Sequence, residues 1–85
     1  MKKVDIYTGI LCGYCNAAKK LLEKKNISFN EIDISSNPDQ KEIMLKKSNG
    51  ARTVPQIFIG DHHVGGYHEL RDLENKGELD QFLSD

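Results

Sequence analysis

Hydrophobic and polar positions change period several times along this chain, and each change predicts a new element. Val4-Asp5-Ile6-Tyr7 alternates and is rich in strand formers, which predicts a first strand. Thr8-Gly9 opens a loop that ends at Cys12. From Cys15 to Lys25 the apolar residues Cys15, Ala18, Leu21 and Leu22 recur at spacings of three and four, with Lys19, Lys20, Glu23, Lys24 and Lys25 on the other face. That is an amphipathic helix with a solvated basic side, and Asn26 stops it. Ile27 to Ile34 predicts a second strand, although its apolar phase slips between Phe29 and Ile32, as at a bulge or a strand end. Ser35-Ser36-Asn37-Pro38 is a helix start, with a polar cap and proline in the first turn. That helix is expected from Pro38 to Ser48, with Ile43, Met44 and Leu45 inward, and Asn49-Gly50 closes it with a left-handed cap.

Gln56-Ile57-Phe58-Ile59 predicts a third strand, Gly60-Asp61 a turn, and His62-His63-Val64 a short fourth strand, so the two form a hairpin. Gly65-Gly66 breaks the chain before a helix from Tyr67 to Asn75 with Leu70 and Leu73 inward. Lys76-Gly77 interrupts it, and Leu79, Phe82 and Leu83 form the stripe of a last short helix. This order implies a central sheet with helices on its faces, its first βαβ unit parallel and right-handed. Residues 1–85 are expected to form a single domain with a modest core.

Twelve basic and thirteen acidic residues leave a net charge of −1, which gives no electrostatic footprint for nucleic acid or an acidic membrane. No stretch approaches the roughly 20 apolar residues of a membrane span. Met1-Lys2-Lys3 runs straight into the first strand without the pattern of a signal peptide, so a cytoplasmic, reducing compartment is expected.

In that setting Cys12-Gly13-Tyr14-Cys15 carries most of the chemistry, because the only two cysteines stand between a strand and a helix start. A thiol there feels the positive end of the peptide dipoles, its pKa falls, and it becomes a nucleophile. A second thiol one turn later can attack the mixed disulfide that the first one forms. Two other readings stay open on the residues alone. The cysteines could be small buried hydrophobes. Cys12, Cys15, His63 and His68 could also supply a zinc set, although the gap from Cys15 to the histidines is far longer than that of a finger.

Four local patterns, in order, resemble the dithiol glutaredoxins: Tyr7-Thr8, Cys12-Gly13-Tyr14-Cys15, Thr53-Val54-Pro55-Gln56-Ile57-Phe58-Ile59, and Gly65-Gly66-Tyr67-His68-Glu69-Leu70. The resemblance spans essentially the whole chain. It implies an α/β thioredoxin fold, with a four-stranded mixed sheet flanked by helices, and a glutathione-dependent disulfide oxidoreductase. Cys12 would be the attacking thiolate and Cys15 the resolving thiol. Glutathione would be the co-substrate, held by Tyr14, Thr53, Val54, Pro55, Gly66, Tyr67, His68 and Glu69. The resemblance also implies a cis peptide before Pro55, which the residues alone would make an ordinary turn. Arg52 and helix lysines such as Lys47 are candidates for the glycine carboxylate, with a solvated charge as the alternative. His62 and His63 are expected on the hairpin surface without a role.

The implied partners are glutathione and disulfide-containing or glutathionylated proteins, with the protein acting as a monomer. Three positions depart from the family pattern. Gly9 stands where lysine is common, Glu69 where aspartate is usual, and Gly13 where dithiol members commonly have proline. Within the family, glycine at that last position is associated with a [2Fe-2S] cluster shared by two protomers through Cys12 and glutathione. A cluster-bridged homodimer is therefore the alternative function.

Overall fold

A computed structural model describes residues 1–84. The chain runs β1 (Val4–Thr8), α1 (Gly13–Lys24), β2 (Asn30–Asp33), α2 (Pro38–Lys47), β3 (Gln56–Ile59), β4 (His62–Gly65), α3 (Tyr67–Asn75) and α4 (Leu79–Leu83). The strands form one mixed sheet in the order β2-β1-β3-β4. β1 pairs parallel with β2 and antiparallel with β3, and β3 and β4 form the antiparallel hairpin. Among the described residues no helix is long and apolar enough to cross a membrane.

Alternation along β1 and β3 divides the interior in two. Val4, Ile6, Ile57 and Ile59 face Ala18 and Leu22 of α1, Leu70 of α3, and Leu79 and Leu83 of α4. Tyr7 and Phe58 face the other way, against Met44 of α2. Burying one side chain such as Leu22 stabilises by about 1.5–3 kcal/mol, so α1 is fixed against the sheet and its first turn is a firm support. At its far end Lys25 Nζ lies 2.6 Å from Glu74 Oε1 and 3.1 Å from Asp80 Oδ1, tying α1 to α3 and α4. The hydrogen bond to Glu74, then that to Asp80, raises the Lys25 pKa.

The structure corrects several expectations. The second strand begins at Asn30, not Ile27, because Ile27 belongs to the close of α1, where its N–H bonds Leu22 O at 2.9 Å. The phase slip is this strand end. Ile27 and Phe29 pack into the α1 side of the sheet, whereas Ile32 and Ile34 pack into the α2 side. Ile43 is 42% exposed, not inward. Met44 and Ser48, four residues apart, take the buried stripe of α2, and Ile43 falls a turn-fraction off it. Helix α1 starts two residues earlier than its apolar stripe, for a reason that lies in the site.

Candidate active site

Cys12 is the N-cap of α1, with extended backbone. Its Sγ accepts the Cys15 N–H at 3.1 Å, and its carbonyl accepts the Asn16 N–H at 3.2 Å. Sulfur thus does the work of a capping oxygen and draws the helix start forward to Gly13. The first turn holds no acidic residue to compete for the helix dipole. Cys15 points from the same turn into the core and is 2% exposed, while Cys12 is half-buried. The two are joined as a disulfide, their Cα atoms 5.2 Å apart. One thiol is therefore placed to be reached from outside and the other only through the first.

Val54 O lies 3.6 Å from Cys12 Sγ, across from the helix start. The Val54-Pro55 peptide is cis, as the resemblance implied. Gly9 packs beneath this segment. A Cβ there would stand 3.1 Å from Val54 Cγ2, so a longer residue at position 9 would press on the wall of the site. The absence of a lysine at position 9 therefore has a packing counterpart.

Tyr14, Thr53, Val54, Pro55, Gly66, Tyr67, His68 and Glu69 come together as the walls of one groove of about 330 Å³, with Gln56 at its base. Tyr14, Tyr67 and His68 make a mutual aromatic cluster, with the tyrosine rings stacked at 5.9 Å and His68 edge-on to Tyr14 at 5.1 Å. A bulge aims the last wall. Ile57 pairs with Gly65 but Phe58 with His63, so Val64 is the extra residue on β4. Gly65 then takes φ +115, and a Cβ there would stand 3.0 Å from Glu69 Cγ. Glu69 Oε1 accepts the Gly66 N–H at 2.7 Å, so this carboxylate holds the start of α3. The Tyr67 and His68 amides lie in that first turn, whose donors lack acceptors within the helix.

Other candidates fall elsewhere. Lys47 Nζ sits 4.5 Å above the Phe58 ring and 3.9 Å from Asp5 Oδ2, on the α2 side of the sheet, so it is not presented to the groove. Arg52 is exposed and is not among the residues that line the groove. The zinc set is not assembled, since no group of three or more His, Cys, Asp or Glu among the described residues could hold a metal ion. His63 is not a plain surface residue. It is half-buried, stacks on Phe58 at 4.7 Å and lies 2.6 Å from Gln56 Oε1. Gln56 Nε2 donates in turn to Thr53 O at 3.0 Å, which makes its Oε1 the acceptor and His63 Nε2–H the donor. Burial, then the charge of His62, pushes the His63 pKa down, and Glu69 opposes them. Sequence reasoning missed this brace under the Thr53-Val54-Pro55 segment. Its signal was the strand alternation that places Gln56 on the same face as Phe58.

A glutaredoxin family model matches residues 4–64. Glutaredoxin 3 of Escherichia coli K12 is 47% identical over 83 residues, covering 98% of this chain and 99% of that protein. The solution structure of a glutaredoxin from Brucella melitensis superposes with a TM-score of 0.82 at 48% identity, over 98% of this chain and 89% of the other. A buckwheat glutaredoxin–glutathione complex superposes with a TM-score of 0.85 at 27% identity, over 96% and 76%.

Proposed function

The chain belongs to the glutaredoxin family, a thiol–disulfide oxidoreductase of thioredoxin fold, and from that premise we propose that its reductant is glutathione and that it reduces glutathione mixed disulfides and protein disulfides through Cys12 and Cys15. The observation that carries this reading is the placement of Cys12 as a sulfur N-cap, 3.6 Å from Val54 O beside the groove.

In the reduced protein the Cys15 N–H and the dipole of α1 stabilise negative charge on Cys12 Sγ. The thiolate attacks a glutathione mixed disulfide at the glutathionyl sulfur. The old S–S bond breaks, the substrate leaves as a thiolate and takes up a proton, and Cys12 carries the glutathionyl group. A second glutathione thiolate attacks that sulfur, releases Cys12 and departs as glutathione disulfide. With a protein disulfide, Cys12 instead forms a mixed disulfide with the protein, and Cys15 resolves it one turn away, leaving the Cys12–Cys15 disulfide for two glutathiones to reduce.

The groove suits the tripeptide. The N–H and C=O of Val54 can pair with its cysteinyl backbone as an added strand does. The amides of Tyr67 and His68 suit the γ-glutamyl carboxylate, and Gly66 allows the close approach. Glu69 offers its remaining carboxylate oxygen to the glutamyl ammonium. Tyr14 walls the cleft, and Arg52, exposed and outside the groove lining, is left as a solvated charge. The buckwheat relative's glutathione complex supports this assignment. The test is Cys15→Ser assayed on both substrate types. Activity on the glutathione mixed disulfide should persist while activity on a protein disulfide falls by most of its value. Equal loss of both would contradict the one-cysteine route.

Gly13 favours a second reading. Beyond its chain neighbours and its own helix backbone, no atom lies within 4 Å of where its Cβ would be, so packing does not demand glycine there. A thiolate such as Cys12 is the donor type an iron–sulfur cluster takes, but one chain offers only Cys12 on its exposed side. A [2Fe-2S] cluster would need Cys12 from each of two copies and two glutathiones, in a homodimer. The protein without a cluster is read as a monomer.

A further inference from the structure

The loop between β1 and the cysteine pair holds an anomaly that the glutathione groove does not use. Leu11 adopts φ +51, in the left-handed region that leucine avoids because its Cβ crowds the following carbonyl. The same side chain is 98% exposed, and its neighbour Ile10 is 76% exposed. Among the described residues the other two non-glycine residues with positive φ are Asn26 and Asn49, which end α1 and α2 and are the residue type that tolerates this backbone. Leu11 ends no helix and its side chain buries nothing; its turn sets the entry of Cys12 into α1, a task that needs the backbone but not an exposed leucine side chain. An outlier of this kind points towards function. Its position is specific, since Leu11 is bonded to Cys12. From Gly9 to Asn16 the chain carries no charged side chain, and Tyr14 beyond Cys12 is also 57% exposed. Recognition along this lip is therefore apolar, whereas the groove on the other flank also carries the polar side chains of Thr53, Gln56, His68 and Glu69.

We propose that Ile10 and Leu11 form a docking lip for polypeptide disulfides, and that the side chain they receive is an apolar residue adjoining the partner's cysteine. This rests on the oxidoreductase reading above. Cys12 Sγ must come within bonding distance of the partner's sulfur, so residues adjoining that sulfur come beside those flanking Cys12, where Leu11 and Ile10 expose apolar side chains outside the groove. The Cys12 thiolate attacks one sulfur, and the partner's other cysteine leaves as a thiolate. The Cys15 thiolate then attacks Cys12 Sγ and releases the partner's first cysteine. Two electrons pass to the partner, and glutathione, as two thiols becoming one disulfide, restores the pair. In a glutathione mixed disulfide with a small thiol, the tripeptide is assigned to the groove, whose lining excludes Ile10 and Leu11, and the small thiol brings no side chain to the lip.

The test uses the full chain and Leu11→Asn, with Ile10→Ser/Leu11→Asn as the stronger variant. Asparagine suits the left-handed backbone, so Leu11→Asn should melt at or above the wild-type temperature. The substrates are the mixed disulfide of glutathione with 2-mercaptoethanol and two peptide disulfides that differ only in leucine or serine beside the attacked cysteine. Wild type should prefer the leucine peptide. Leu11→Asn should lose about tenfold in kcat/KM on it, equivalent to about 1.4 kcal/mol, and stay within about twofold of wild type on the mixed disulfide. A leucine preference that survives in the double variant overturns the proposal, as does its absence in wild type. Self-association of wild type abolished by Leu11→Asn also overturns it, because the lip would then be a contact between copies. Wild type inactive on the mixed disulfide contradicts the oxidoreductase reading itself, which no change at Leu11 could do.

Discussion

Glu69 has a structural task and a proposed ligand task, and two substitutions separate them. Its Oε1 accepts the Gly66 N–H at 2.7 Å, the half of a capping box in which the third residue of a helix satisfies the cap's donor. Losing such a capping interaction costs about 1 kcal/mol, within a range of roughly 0.5–2. In a domain of this size 1 kcal/mol moves Tm by about 4–8 °C, so Glu69→Ala should melt lower by about that much. Glu69→Gln keeps a carbonyl oxygen for Gly66 and loses only the charge, so it should recover at least half of the deficit. An exposed contact with the glutamyl ammonium is worth about 0.2–1 kcal/mol, which at its upper end raises the apparent glutathione constant about fivefold. Both variants should show that rise to a similar degree. Thermal melts and steady-state titration of glutathione measure the two effects separately. Glu69→Ala melting like wild type would refute the capping role. An unchanged glutathione constant in both variants would refute the ligand role and leave the carboxylate end of glutathione to the Tyr67 and His68 amides alone.

His63 should make stability pH-dependent. Burial lowers its pKa in the folded chain, so the unfolded chain binds the proton more readily, and stability present above about pH 6.5 is lost as pH falls towards the folded value. His63→Phe keeps the stack on Phe58 and should show a smaller drop in Tm between neutral and mildly acidic pH; equal drops would assign the effect to other groups. Gly13→Pro bears on the cluster reading. Anaerobic reconstitution of wild type with iron, sulfide and glutathione should give a coloured dimer in part of the protein, and the proline variant less of it with disulfide reduction mostly intact. A colourless monomer under excess glutathione would end that reading.

Much of this was legible in the sequence because it is local. The alternation of Val4 to Tyr7, the spacing of Cys15, Ala18 and Leu22, and Asn49-Gly50 at the end of α2 each act within a few residues, and their elements stand where the patterns put them. The groove residues were legible only through the family pattern, because Tyr14, Thr53 and Gly66 meet across three separate segments. What stayed hidden depends on register or on side-chain direction. Gln56 and His63 meet because the hairpin places His63 opposite Phe58. Ile43 looked inward until Met44 and Ser48 fixed the buried stripe of α2. Ile27 looked like strand until the close of α1 claimed its N–H. The backbone of Leu11 has no sequence signal at all, since leucine is the wrong residue for it.

The central claim is that the start of α1 makes Cys12, not Cys15, the nucleophile. Alkylation of the reduced protein with iodoacetamide at about pH 6, where an unperturbed thiol is almost wholly protonated, tests it most directly when each site is followed by mass spectrometry. Cys12 should be labelled well before Cys15, and Cys12→Ser should leave the protein nearly unlabelled on that timescale. Labelling of Cys15 first, or of both at one rate, would contradict the account.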